Sequence, residues 1–378
     1  MNGRESTYLI SVLAALLRGE NAPPPEPGLD WRELYRLASR HSLANMAAYG
    51  ITEAPEEVQQ KFEEAKRRGI FVEATQELEL GLVQEAFAKA GLRVMPQKGA
   101  ILKHLYPKPD MRSMSDLDLL FDPENDEIVH SILTGLGYRA DRYREDSVDI
   151  YVKPPVMMLE LHRSLIREDH PWHEYFSQVW DRADETGHMM PEDFYIFLIA
   201  HLAKHYAGKG SGLRPVMDLW VYRGAHTLDE AYLTRELKTL GILEFERRME
   251  ELAAFWFGDG VETPFLEELG ESVLMNSIYG SSANRAMANR VSISQEESFG
   301  RAKTRYVRTR LLPDSVFMAR RYPILQKWPV LLPFCWVARW IVTLFRGDRM
   351  RGEVEILEQM QEEKTKKLQE LHKKLGLK

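Results

Sequence analysis

Apolar and polar positions divide the chain into a helical beginning, a short stretch of mixed texture and a long helical remainder. The apolar run from Tyr8 to Leu17 reads as a short amphipathic helix, followed by the prolines at 23, 24, 25 and 27. Asp30 stands where an N-cap belongs before WRELYRLASRH, and residues 55–89 read as one long charged helix with Gly91 as its stop. The period then changes. LRVMPQ predicts a short strand, ILKHLY after Lys98-Gly99-Ala100 a helix, 116–121 a strand, and 125–136 a helix ended by Gly137. Two further strands are predicted at 147–152 and 156–162, separated by Lys153-Pro154-Pro155. Beyond Ser164 helices return: Pro191 opens one over 191–207, 214–226 reads as another, and residues 280–300, small and polar, read as a linker. The pattern predicts an α+β chain, a small mixed sheet core embedded in a mainly helical protein. Its regions are a helical 1–90, the α/β core 91–165, a helical 166–300, and a basic and hydrophobic helical 301–378.

Composition narrows the function classes. With 44% hydrophobic and 28% charged residues the chain is globular rather than disordered. A net charge of −7 argues against general nucleic-acid binding, which needs a basic face to neutralise phosphates. Positive charge is concentrated in residues 301–350, where Lys and Arg outnumber acids by nine, so the rest of the chain carries −16. The one cysteine, Cys335, excludes an intrachain disulfide and a Cys-based zinc site. The N-terminus lacks the basic start and small-residue cleavage site of a secretory signal, and no run of about 20 apolar residues appears. A cytoplasmic protein is expected.

The chemistry is concentrated in KGAILKHLYPKPDMRSMSDLDLLF. Alternate residues of a strand share a face, so Asp116 and Asp118 set two carboxylates side by side with Leu117 and Leu119 turned the other way. Like charges this close resist joint ionisation unless a cation lies between them, and hard oxygen ligands suit Mg²⁺. Two-metal phosphoryl-transfer sites need a further carboxylate from elsewhere, which Glu160 in VMMLELH offers. Upstream, the Lys98-Gly99 turn opens a helix whose N–H groups suit phosphate, and Arg112 lies between turn and acids. A bare D-x-D pattern also fits a solvated edge strand.

These residues resemble the nucleotidyltransferase superfamily related to polymerase β. They are more closely similar to a poorly characterised bacterial family with the order Lys-Gly, Tyr-Pro, Arg and Asp-x-Asp-x-Leu, here Lys98-Gly99, Tyr106-Pro107, Arg112, Asp116, Asp118 and Leu120. The family's acid-x-His strand matches Glu160-Leu161-His162. The chain departs from the wider superfamily in having Gly99-Ala100 for the usual Gly-Ser, and in the longer gap from Gly99 to Asp116. The resemblance implies transfer of a nucleoside monophosphate from an NTP, ATP among them, to a small-molecule, sugar or peptide acceptor. Asp116, Asp118 and Glu160 would hold Mg²⁺ (or Mn²⁺), and Lys98, Gly99 and Arg112 the phosphates.

Other polar residues carry two readings each. His162 suits an acceptor-orienting group or a structural histidine. His201 and His205 lie at i and i+4 in HLAKH, but the residue after the first His is Leu202, not the Glu of a zinc protease. With Arg214 and Asp218 they either line an acceptor cleft or belong to an ordinary amphipathic helix. Residues 322–345, with Trp328, Trp336, Trp340 and flanking Arg, resemble an interfacial membrane helix interrupted by Pro329 and Pro333. Peripheral membrane contact and packing on the core or a second subunit both remain open there. The competing functions are a degenerate nucleotide binder and a membrane-associated helical adaptor.

Overall fold

The computed structural model describes residues 3–145, 147–184, 187–276, 312, 318, 322, 324–344 and 362–377. The chain divides into two compact units, residues 1–203 with 211–278, and residues 204–210 with 279–378.

The first unit opens with α1 (Arg4–Leu17), α2 (Trp31–Arg40), α3 (Ala44–Ala47) and the long α4 (Glu56–Lys89). Asp30 caps α2 as its sequence requires, its carboxylate accepting from the Arg32 and Glu33 N–H groups. There follow β1 (Val94–Pro96), α5 (Gly99–Leu102), β2 (Leu117–Phe121), α6 (Asp126–Gly135), β3 (Arg139–Arg142), β4 (Val148–Lys153) and β5 (Met157–His162). The helices α7 (His173–Ser177), α8 (Pro191–Lys209), α9 (Leu213–Ala225), α10 (Glu230–Thr239), α11 (Leu243–Phe257) and α12 (Pro264–Met275) complete it, the last residues of α8 falling in the second unit.

The strands form one mixed sheet in the order β1-β2-β5-β4-β3, in which β2 and β5 run parallel and the other pairs antiparallel. The expected small sheet core within a helical chain is borne out. One sheet face carries Leu117, Leu119, Phe121, Tyr151, Leu159 and Leu161, packed with Leu80, Val83 and Phe87 of α4 and Val129 and Leu133 of α6. Each such side chain contributes about 1.5–3 kcal/mol on burial. The leucines at 117, 119, 159 and 161 are thereby turned to this core, and Asp118, Leu120, Glu160 and His162 face the opposite side.

Two elements differ from the sequence reading. Arg139–Arg142 is an edge strand whose residues are all polar except Ala140, so it shows no alternation to detect. ILKHLY is no continuous helix: α5 ends at Leu102 and Lys103–Leu105 form a 3₁₀ turn. Lys103 is drawn there, completely buried, to Glu73 at 3.0 Å and Glu77 at 2.6 Å on α4.

In the second unit, α13 (Leu332–Leu344) and α14 (Glu362–Lys374) are described. Met318, Leu325 and Cys335 make a small apolar cluster with Trp336 packed on it, whereas Trp328, Val330, Phe334 and Val337 are exposed. Among the described residues no helix is long and apolar enough to cross a membrane. The expected linker 280–300, the basic run 301–311, the Trp340 side chain and Phe345 lie outside the described residues.

His41, at the end of α2, ties three helices of the first unit together. Its Nδ1 accepts from the Leu213 N–H at 3.1 Å, which leaves Nε2 to donate to the Leu274 carbonyl at 3.2 Å. Burial keeps the ring neutral and pushes its pKa down to about 4. The unfolded chain protonates near 6.5, so stability present at neutral pH is lost as pH falls from 6.5 towards 4, by up to about 3 kcal/mol. His41→Gln should be less stable at pH 7.5, yet its urea midpoint should converge on that of the wild type as pH approaches 4. Parallel curves would contradict this role.

Candidate active site

The site begins with register. Asp118 on β2 pairs with Glu160 on β5, and Leu120 with His162. Register partners on parallel neighbours share a face, and Leu117, Leu119, Leu159 and Leu161 occupy the core side. Asp118, Glu160 and His162 therefore emerge together on the other side, with one ligand atom from each lying within 4.8 Å of the others. Among the described residues this is the group of His, Cys and acidic side chains placed to share a metal ion. Asp116 immediately precedes β2; the charge of Asp118 acts on it, and its own charge acts on Glu160.

The surroundings shift the three acids in different directions. Burial alone would raise the Asp118 carboxyl, but Lys98 and His162 outweigh it and hold it well below the usual carboxylate range. Lys98 Nζ and His162 Nε2 both reach Asp118 Oδ1, at 3.0 and 2.8 Å. Burial raises Asp116, and the negative charge of Asp118 raises it further, against the opposing pull of Lys98 and Arg214. Glu160 is raised by burial and then by Asp116 and Asp118, while His162 stands 3.8 Å from its Oε2. Close packing of like charges is thus partly relieved by Lys98 and falls hardest on Asp116 and Glu160.

Lys98 arrives by a strained turn. Its backbone adopts φ 38°, ψ −103°, a conformation that costs a side-chain-bearing residue on the order of 1–3 kcal/mol. The Gln97 N–H bonds to the Asp118 carbonyl at 2.9 Å, pinning the turn to β2. The next residue must be glycine for want of space: a Cβ on Gly99 would collide with the Met114 side chain and with Arg112 Nη1. The expected phosphate-receiving helix is only the four-residue α5.

The structure places Arg112 beneath this turn in a buried bidentate pair. Its Nε and Nη2 reach the two Asp218 oxygens at 2.8 Å each, and the Tyr106 hydroxyl donates to Asp218 at 2.8 Å. Arg112 and Asp218, assigned by sequence to phosphate and acceptor roles, are thus brought together. Arg214 Nη1 donates to the Ser113 carbonyl at 2.8 Å, and its charge lowers Asp116. On α8, His201 packs against Phe197 with ring centres 5.9 Å apart, and His205 falls in the second unit. The sequence reading missed the Tyr106 hydroxyl, Lys103 and Met114. Nothing in a single sequence links Arg112 to a partner 106 positions away, but the Tyr-Pro motif did mark Tyr106.

Chemically, the donor set is hard oxygen with one imidazole, and its crowded carboxylates favour a divalent cation over protons. Mg²⁺ or Mn²⁺ suits such a set better than a thiophilic metal.

The sequence profile of a family described as an uncharacterised nucleotidyltransferase matches residues 27–258. No curated protein and no solved structure matches the chain.

The Arg112–Asp218 geometry makes a stability prediction. Arg112→Ala strands a buried carboxylate and should lower folding stability by about 3–5 kcal/mol, with Arg112→Lys in between because an ammonium lacks the two-pronged fit. Urea denaturation measures it, and an unchanged midpoint would return Arg112 to the role of an exposed phosphate ligand.

Proposed function

The chain belongs to the uncharacterised nucleotidyltransferase family, and from that premise we propose that it transfers a nucleoside monophosphate from an NTP, ATP among them, to an acceptor hydroxyl. The observation that carries this reading is the register match of Asp118 with Glu160 beside His162 on the open face of the sheet. Asp116 and Asp118 would hold the ion nearest the nucleotide phosphates, and with Glu160 a second one. Bound there, Mg²⁺ or Mn²⁺ supplies charge neutralisation and lowers the pKa of the acceptor hydroxyl.

The chain's own residues do the positioning. Lys98, hydrogen-bonded to Asp118, would exchange that partner for a phosphate oxygen. Gly99 lets the backbone approach the phosphates, and Arg112, clamped by Asp218, fixes the turn from below. His162 orients the acids through Asp118. In the transfer the acceptor oxygen bonds to the α-phosphorus, the bond from that phosphorus to the β-bridging oxygen breaks, pyrophosphate leaves with the electron pair, and the hydroxyl proton passes to solvent.

A second reading concerns the second unit. Trp328, Val330, Phe334 and Val337 are exposed apolar residues in a segment of strong positive charge excess. This combination favours peripheral contact with an anionic lipid surface.

Asp118→Asn should weaken Mn²⁺ binding, measured by calorimetry, and lower metal-dependent pyrophosphate release by at least about 10²–10³-fold, with the far-ultraviolet circular dichroism unchanged. Full activity in that variant would sink the assignment, and nucleotide binding without turnover in the wild type would leave a degenerate binder. For the second unit, the protein should co-sediment with phosphatidylserine vesicles and lose this when Val330 and Phe334 are both changed to Ser. Failure to bind such vesicles removes the lipid reading.

A further inference from the structure

A cavity of about 700 Å³ opens at the C-terminal ends of the parallel pair β2 and β5. Leu120 of β2 and Asp122 just past its end line it, with Ser164 and Leu165 from the chain leaving β5. Phe176 and Trp180 line it as well. Its relation to the acids follows from register. Leu120 pairs with His162, one step along the same sheet face from the Asp118–Glu160 pair. The cavity therefore begins one register step beyond the Asp118–Glu160 pair, at the opposite end of β2 from the Lys98-Gly99 turn, which is pinned to β2 at Asp118; none of the three acids lines it.

We propose that this cavity receives the acceptor, and that the acceptor is a saccharide. The inference rests on the nucleotidyltransferase reading for its orientation. In an in-line displacement the attacking and leaving oxygens lie on opposite sides of phosphorus. With the leaving pyrophosphate at the Lys98-Gly99 turn, the attacking hydroxyl enters from the cavity side.

The lining argues for the class. A nucleotide's phosphates would meet the carboxylates of Asp122, Glu168 and Asp169 in this lining, and each of its two guanidinium groups is set against acidic side chains. Arg163 pairs with Asp126 at 2.9 Å and Asp149 at 2.6 Å, and Arg167 with Asp169 at 3.0 Å. An extended peptide bound by backbone pairing needs a sheet edge, and β2 and β5 are interior strands. A sugar presents an apolar C–H face and a rim of hydroxyls. Leu165, Phe176 and Trp180 suit the first, and serine hydroxyls, carboxylates and His173 the second. His173 Nδ1 donates to the Ile166 carbonyl at 2.8 Å, so its Nε2 is an acceptor for a sugar hydroxyl. The volume falls within the range of roughly 300–1,000 Å³ usual for small-molecule sites.

The test reads saccharide and nucleotide binding separately. Saturation-transfer NMR on the full chain without nucleotide should detect glucosamine or maltose. Ser164→Trp and Ser177→Trp, which add bulk to two separate lining segments, should each reduce the signal by about fivefold or more, while the Kd for Mg·ATP moves by less than about threefold. No saccharide signal in the wild type, a signal surviving both substitutions, or a loss of ATP affinity of about tenfold or more in the filled variants would overturn the proposal. A wild type that binds saccharide but neither binds nor turns over ATP would remove the transferase reading and leave the saccharide site standing.

Discussion

Two carboxylates held against each other by strand pairing are the constraint on which this molecule is organised. Asp118 and Glu160 are opposite one another because β2 and β5 run parallel in that register. The register is enforced from behind: Leu117, Leu119, Leu159 and Leu161 are completely buried against α4 and α6. A slip of one residue would turn those four leucines into solvent and the acids into the core. At an effective dielectric constant near 20, two unit charges about 4 Å apart repel by roughly 4 kcal/mol. Burial of several large side chains on the reverse face exceeds this, so the fold can maintain a juxtaposition that the acids themselves oppose.

The repulsion is distributed rather than abolished. Lys98 and His162 converge on one oxygen of Asp118 and keep that group ionised, while Asp116 and Glu160 are raised. The outcome is a site with one firmly charged carboxylate and two that gain from any added positive charge. Lys98 serves as an internal cation from a backbone position it reaches only at positive φ. Backbone strain at this position is held in place by the Lys98–Asp118 ion pair and by the Gln97 N–H bond to β2.

Much of this was legible in the chain because period-2 alternation records which side of a strand is buried. Asp118 and Glu160, isolated between leucines, could only be surface residues of half-buried strands, and the strand pair around Lys153-Pro154-Pro155 forms as its pattern requires. Legibility failed where polarity and burial part company. The Arg139–Arg142 strand carries no apolar signal, and Lys103, a residue type that normally marks the surface, is completely buried because two glutamates of α4 meet it. The pairing of Arg112 with Asp218 was hidden for a different reason: charge type alone does not reveal which distant acid an arginine meets.

That arginine also ties the short motif to distant parts of the 27–258 stretch that the family match covers. Arg112 touches Gly99 from below and is fixed by Asp218 on α9, with Tyr106 bonded to the same carboxylate. Asn45 on α3 donates to the carbonyls of Asp110 and Met111, and Gln76 on α4 to that of Met114. The loop between α5 and β2 is therefore held by helices that precede and follow the sheet in sequence. A sheet excised at 91–165 would retain its acids but lose the buried carboxylate that neutralises Arg112, and with it the support under the Lys98-Gly99 turn. The geometry of the acid cluster and of the Lys98-Gly99 turn belongs to the first unit as a whole, and the helices are its scaffold rather than its surroundings.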